Sequence, residues 1–285
     1  MGSKGRNGGS PTPGAATRVL ELDEHPEGYG HFLRSLWEHR QVLSVLARTD
    51  FQVRYKRAAF GVLWSVALPV VQALVLVFVF RRFTRFSDVV GYPVFVVSGM
   101  MAWSYLTSTI SAGSTAIVDA TSMTDKVWFP RAVLALVPAL ANTVGLIVSF
   151  ILLVGLMPLW DVSISSRVLL LPVAILLLVA FCSALGLVLS ALHVYYRDVK
   201  FLVQAALLAW FWVTPLAYPQ SFAGGISGWL DFNPATGLVT MFRMATLGAD
   251  HWRRPVLVSV ITTVVLLGVA LEIYRRHDRR FVDLL

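Results

Sequence analysis

Six long runs free of charged side chains set the pattern of this chain: Ala58 to Phe80, Val89 to Val118, Ala132 to Trp160, Val168 to Leu192, Phe201 to Leu230 and Pro255 to Leu271. A bilayer core of about 30 Å takes roughly 20 apolar residues of helix. Each run therefore predicts a membrane-spanning helix. The last is the shortest, and two are long enough to hold a span and a further piece.

The stretch from Tyr218 to Arg254 is punctuated differently. After Thr214-Pro215 come Gly224-Gly225, an apolar piece Ile226 to Leu230, then Asn233-Pro234 and a second apolar piece Leu238 to Leu247. Asn at an N-cap followed by Pro at the first helical position is a strong helix start. Neither piece is long enough to span, so two short helices dipping into the outer leaflet are expected. Ahead of the first run, Phe32, Leu33, Leu36, Trp37, Leu43, Leu46 and Ala47 recur at near-helical spacing, with Arg34, Glu38, Arg40, Gln41 and Arg48 between them. That pattern predicts an amphipathic helix on the cytoplasmic membrane surface, with Trp37 in the headgroup zone. A helix packed on a partner protein would look the same.

Composition moves the 285 residues out of the soluble class: mean hydropathy is +0.69, and only 14% of residues are charged, against about 25% in soluble domains. The net charge of +8 then reads as basic cytoplasmic loops rather than a nucleic-acid surface. With both termini inside, Arg81, Arg82, Arg85, Arg167, Arg243, Arg253 and Arg254 fall outside, and the other 17 of the 24 Lys and Arg fall inside. Arg81-Arg82-Phe83-Thr84-Arg85 runs against this rule locally. The first 30 residues, rich in Gly, Ser and Pro, predict a disordered cytoplasmic tail with no signal peptide. The lone Cys182 sits in an apolar run and reads as packing.

Candidate chemistry is sparse. The interiors of the runs lack the ionisable groups that proton-coupled carriers and voltage sensors use, and the six histidines have no ligand spacing. A Gly-x-x-x-x-Gly-Lys-Ser/Thr loop is absent, so no ATP-driven engine and no catalytic or metal site is expected in the chain. Aromatic residues are plentiful: Trp64, Trp103, Tyr105, Trp210, Phe211, Trp212 and Tyr218 lie in or beside the runs. Ordinary packing and interfacial belts account for many of them. The sharper reading is a glycan path, in which pyranose faces slide on Trp64, Trp103, Tyr105, Phe211, Trp212 and Tyr218. Gly145-x-x-x-Ser149 and Gly186-x-x-x-Ser190 are spaced for close helix contact. Two short polar excursions, one holding Asp125-Lys126-Val127-Trp128-Phe129-Pro130-Arg131 and one holding Tyr195-Tyr196-Arg197-Asp198-Val199-Lys200, read as connecting loops or as a docking face for a cytoplasmic partner.

Four stretches in order resemble a known family: Val53-Arg54-Tyr55-Lys56-Arg57 running into Gly61-Val62-Leu63-Trp64; Lys126-Val127-Trp128-Phe129-Pro130-Arg131; Tyr195-Tyr196-Arg197-Asp198-Val199 followed by Thr214-Pro215-Leu216-Ala217-Tyr218-Pro219; and Asn233-Pro234 with Arg243 and Leu247-Gly248. The chain is similar to the permease subunits of bacterial ABC-2 type polysaccharide exporters. The resemblance implies an all-α membrane fold of six transmembrane helices, an N-terminal amphipathic interface helix, and external re-entrant helices between spans five and six. It implies a homodimer in the bacterial plasma membrane working with two copies of a cytoplasmic ATPase, which would hold the ATP and Mg. The implied cargo is a polysaccharide on a polyprenyl diphosphate lipid. Arg54, Tyr55, Lys56 and Arg57 would then form the substrate entrance, their cations suited to a diphosphate. Leu36, Trp37, Arg40, Asp125, Lys126, Arg131, Arg197 and Asp198 would face the ATPase.

The expected organisation is a tail over 1–30, the interface helix over 31–57, the six-span domain over 58–274 and a cytoplasmic tail over 275–285. A drug or lipid exporter of the same fold, an ATP-independent scramblase, and a membrane enzyme acting on lipid-linked sugars are the competing readings. Missing acid, base and metal groups count against the enzyme.

Overall fold

The computed structural model describes residues 29–83, 91–120, 130–220, 224–225, 227–248 and 252–277, and these are helical or connecting, with no strand among them. Helix α1 (Tyr29–Glu38) bends at His39 into α2 (Arg40–Tyr55). After a 3-10 turn at Gly61–Leu63 come α3 (Trp64–Phe83), α4 (Tyr92–Asp119), α5 (Ala132–Leu156) and α6 (Leu171–Tyr195). Then follow α7 (Val199–Val213), α8 (Ser227–Leu230), α9 (Pro234–Thr246) and α10 (Arg253–His277). Asp125, Lys126, Arg85 and both terminal tails beyond 29 and 277 lie outside the described residues.

Five helical stretches among the described residues are long and apolar enough to cross a membrane: Gly61–Arg82, Tyr92–Asp119, Ala132–Trp160, Ser166–Tyr195 and Arg253–Arg276. The run Phe201 to Leu230 does not form one helix. Its helix stops at Val213, so α7 has 15 residues and a length of about 22 Å at 1.5 Å per residue, short of a bilayer core. The two short helices expected after it are present as α8 and α9. Asn233 caps α9 as expected, its side-chain oxygen accepting from the Ala235 N–H with Pro234 next in line.

Helix α4 is the hub. In its most apolar window 72% of residues are buried, against 17% in the corresponding windows of α3 and α10. It packs most extensively on α6 and α5. The α4–α6 crossing is close because two glycines meet there: a β-carbon on Gly113 would lie 3.4 Å from the Gly186 Cα. Dispersion between closely approaching backbones is what small residues provide in an apolar solvent.

The main core runs through α4, α5, α6 and α9 and encloses Cys182. A second cluster at one end gathers Ile117, Val133, Leu134, Ala191, Val194 and Tyr274. Leu36, Val42, Leu43 and Leu46 of α1 and α2 pack on it. The amphipathic stripe thus faces its own bundle, while Trp37 is turned outward and is 68% exposed.

Candidate functional site

Two polar assemblies interrupt this apolar bundle. The first lies where α2 ends against α5. Arg54, in the last turn of α2, donates through Nη1 to Oδ1 of Asn142 at 2.6 Å. Its Nη2 donates to Asp50 one turn earlier, at 3.1 Å. The Asn142 amide in turn donates to Thr109 Oγ1 at 3.0 Å and to Ser108 Oγ at 3.4 Å. A polar chain therefore crosses α2, α5 and α4. Asn142 sits ten residues into α5, about 15 Å along its axis, so Arg54 is drawn well away from the helix end. Beside it opens a notch of about 280 Å³. Hydroxyls of Ser65, Ser104, Ser108 and Ser149 line it, with Leu68, Met101 and Leu146 as its apolar wall. Tyr55, Trp64 and Tyr105 complete the lining, and the Tyr105 hydroxyl donates to the Ala139 carbonyl at 2.8 Å.

The second assembly closes the break after α7. Arg243 of α9 is 7% exposed and makes no carboxylate contact among the described residues. Its Nη1 donates to the Pro215 carbonyl at 2.8 Å, its Nη2 to Leu216 at 2.7 Å and its Nε to Phe95 at 3.3 Å. Its guanidinium also lies 3.5 Å from the centre of the Phe95 ring. Tyr92 donates to the next carbonyl, Ala217, at 2.7 Å. A chain that leaves a helix exposes carbonyls that need donors, and these two side chains supply them. Gly99 makes the room, since a β-carbon there would lie 2.9 Å from the Arg243 Nη2. Asn233 adds a second tie: it accepts from the Trp210 indole at 2.7 Å and donates to Thr214 Oγ1 at 3.1 Å.

The structure brings some of the expected site residues together and separates others. Arg54 and Tyr55 meet Trp64 and Tyr105 at the notch. Lys56 and Arg57 are exposed on the connection that follows, with Arg57 at a left-handed φ of 66°. Trp103 is 5% exposed and packs edge-on to Trp210 and Phe211, so within one subunit it is core. Trp212 is 67% exposed against Phe211, and Tyr218 is half-buried.

Of the residues expected to face a partner, Leu36 packs inward, whereas Trp37 and Arg40 stack on the exposed side. Arg197 and Asp198 are exposed in the three-residue connection between α6 and α7. Arg131 is a departure: at the start of α5 it is 7% exposed, turned into the bundle rather than to solution.

A family model described as ABC-2 type transporter matches residues 41–247, a range that begins in α2, ends just past α9 and contains both assemblies. The chain belongs to the ABC-2 type transporter family. It is 28% identical over 263 residues to the O-antigen export system permease protein RfbA of Myxococcus xanthus, covering 88% of this chain and 98% of that protein. An O-antigen export system permease protein RfbA of Klebsiella pneumoniae is 24% identical over 255 residues, 86% of this chain and 95% of its own length. A second from the same organism is 25% identical over the same span.

This ABC-2 type permease is a multi-pass membrane protein, and its polar assemblies rest on residues that charge patterning alone passes over. Asn142 is the sole side-chain amide between Ala132 and Trp160, a signal of the kind that polar residues in membrane helices carry. Arg243 belongs to the quoted Asn233-Pro234 stretch, yet counting it as an external charge hid its burial. Gly99 gave no signal at all, because the atom it accommodates is 144 positions further on.

Proposed function

We propose that this chain is the transmembrane permease subunit of an ABC exporter that carries a polyprenyl-diphosphate-linked polysaccharide outward across the plasma membrane. A separate cytoplasmic ATPase, holding ATP and Mg, drives it; the permease itself catalyses no reaction. The observation that carries the reading is Arg54, a cation held inward by the neutral Asn142 at the edge of a hydroxyl-lined notch. Asn142 and Asp50 each hold one guanidinium nitrogen, and the remaining N–H donors, with the exposed Lys56 and Arg57 on the connection that follows, suit a phosphate arriving along the membrane surface. The names of the O-antigen export relatives point to the same cargo class.

Two permease copies and two ATPases form the working unit. The permease presents apolar faces for a second copy, such as Val71, Val75 and Phe78 on α3 and Phe201, Leu208 and Trp212 on α7. Both termini are cytoplasmic. The fifth crossing is completed by the re-entrant pair α8 and α9, with the clamped carbonyls at its centre. Trp37, Arg40, Arg197 and Asp198, with Asp125 and Lys126, meet the ATPase, whose nucleotide states bias the permease through their different contacts.

The test neutralises Arg54, Lys56 and Arg57 together, each to Gln, and follows surface display of the glycan and accumulation of its lipid-linked form on the cytoplasmic side. Loss of export with the dimer intact is expected. Normal export from the triple variant would sink the entrance assignment.

A further inference from the structure

The hydroxyl-lined notch is more elaborate than a phosphate site needs to be. Its volume of about 280 Å³ is at the small end of ligand cavities, room for a single ring rather than a chain. Three of its four serine hydroxyls are arranged with one polarity. Ser65 donates to the Val62 carbonyl, Ser108 to Tyr105 and Ser149 to Gly145, at 2.6, 3.1 and 2.8 Å. Each donor is thus spent on a nearby carbonyl of the backbone, and lone pairs remain as acceptors, one on Ser108 taken by the Asn142 amide. Acceptors set in a mainly apolar lining suit a ring that has both an apolar face and O–H donors. At the mouth Trp64, 44% exposed, offers an indole face, the usual partner for the apolar face of a ring. Arg54 stands at the same mouth, two of its donors held by Asn142 and Asp50. An acyl chain would leave the free acceptor lone pairs unused, and a free phosphate would be repelled by them.

We infer that the notch between α2, α3, α4 and α5 is a subsite for the sugar that adjoins the diphosphate, with Arg54 taking the neighbouring phosphate. The inference rests on the proposed polyprenyl-diphosphate cargo and adds what selects it. Asn142 acts as a positioning residue, fixing Arg54 through its own bonds to Thr109 and Ser108.

The experiment uses the full transporter with its ATPase in lipid nanodiscs. Two probes are compared: a polyprenyl diphosphate bearing one sugar, and the bare polyprenyl diphosphate, with binding read by native mass spectrometry. The wild type is expected to prefer the sugar-bearing lipid. Ser104→Phe fills the notch and is expected to weaken that lipid about tenfold while leaving the bare lipid within about twofold, a difference worth more than one lost hydrogen bond. The milder pair Ser65→Ala with Ser104→Ala gives the same split at about fivefold should the Phe variant fail to assemble. Arg54→Gln is expected to weaken both lipids.

Equal effects of Ser104→Phe and of the alanine pair on the two lipids, or no sugar preference in the wild type, would overturn the subsite and leave the export reading intact. Failure of the wild type to bind either lipid would overturn the cargo reading itself, and the subsite with it.

Discussion

Replacing Arg243 with Met removes a buried cation while keeping a flexible chain of similar reach. Three carbonyls, those of Phe95, Pro215 and Leu216, lose their donor. Hydrogen bonds from a charged donor are worth roughly 1.5–3 kcal/mol each, so the gross loss is about 5–9 kcal/mol. Against this, the variant no longer desolvates a guanidinium, which returns several kcal/mol. The net is a destabilisation of about 3 kcal/mol, or roughly 6–12 °C in Tm by the usual scaling for a chain of this size. Arg243→Lys keeps the charge but loses the planar fork, and about half the shift is expected.

The protein contains its own reporter: Cys182 is the sole cysteine and is 1% exposed in the main core. A thiol-reactive fluorophore therefore labels the permease as it opens on heating. Gly99→Ala provides the cross-check, because its β-carbon would press on Nη2. It is expected to destabilise the wild type and to cost nothing further in the Arg243→Met background, a non-additivity that marks direct contact. Should Arg243→Met label at the wild-type temperature, the claim that this residue holds the break would be wrong.

Three further outcomes follow from other contacts. Gly237→Ala would drive a β-carbon into the Pro255 carbonyl and the Ser259 hydroxyl, so α9 must part from α10. A loss of about 3 kcal/mol is expected, seen in the same labelling scan. Asn233→Ala removes the α9 cap and leaves the Trp210 indole without its acceptor. Roughly 2 kcal/mol is expected, and the Trp210 emission should change with it. Asn142→Leu frees Arg54 from its inward hold and is expected to lower export about tenfold at unchanged thermal stability, whereas Asn142→Gln, a neutral amide that can still accept from a guanidinium, should recover most of it.

The apolar runs and the Asn233-Pro234 helix start were legible because each depends on residues adjacent in sequence. The end of α7 was legible too, at Thr214-Pro215. What holds the break was not, because it is Arg243, 28 residues downstream of Pro215. Counting charges placed that arginine in an external loop, since burial of a cation against carbonyls has no local signature. The notch was half legible. Arg54, Tyr55 and Trp64 stood together in one quoted motif, but their inner wall is set by Asn142, 88 positions from Arg54. Trp37 shows the opposite failure: it fits the apolar period of its helix, yet it faces outward, because Leu36 and Leu43 already fill the contact with the bundle.

The assembly around Arg243 differs from that of Arg54, which pairs with Asp50, and the difference yields a last prediction. Arg243 is held entirely by uncharged acceptors and a ring face among the described residues, and none of these partners titrates near neutrality. The guanidinium stays protonated across that range. Proton uptake on unfolding is then the same with and without the clamp, so the clamp adds no slope to stability against pH. The difference in Tm between the wild type and Arg243→Met is therefore expected to be the same at pH 5.5 and pH 8. A carboxylate partner would behave otherwise. Paired with the arginine, its folded pKa would be depressed, and its contribution would fade as pH falls through that value. A Tm difference that shrinks on acidification would place an acid against Arg243 and refute the all-carbonyl clamp, while a flat difference leaves the break in α7 held by dipoles and one permanent charge.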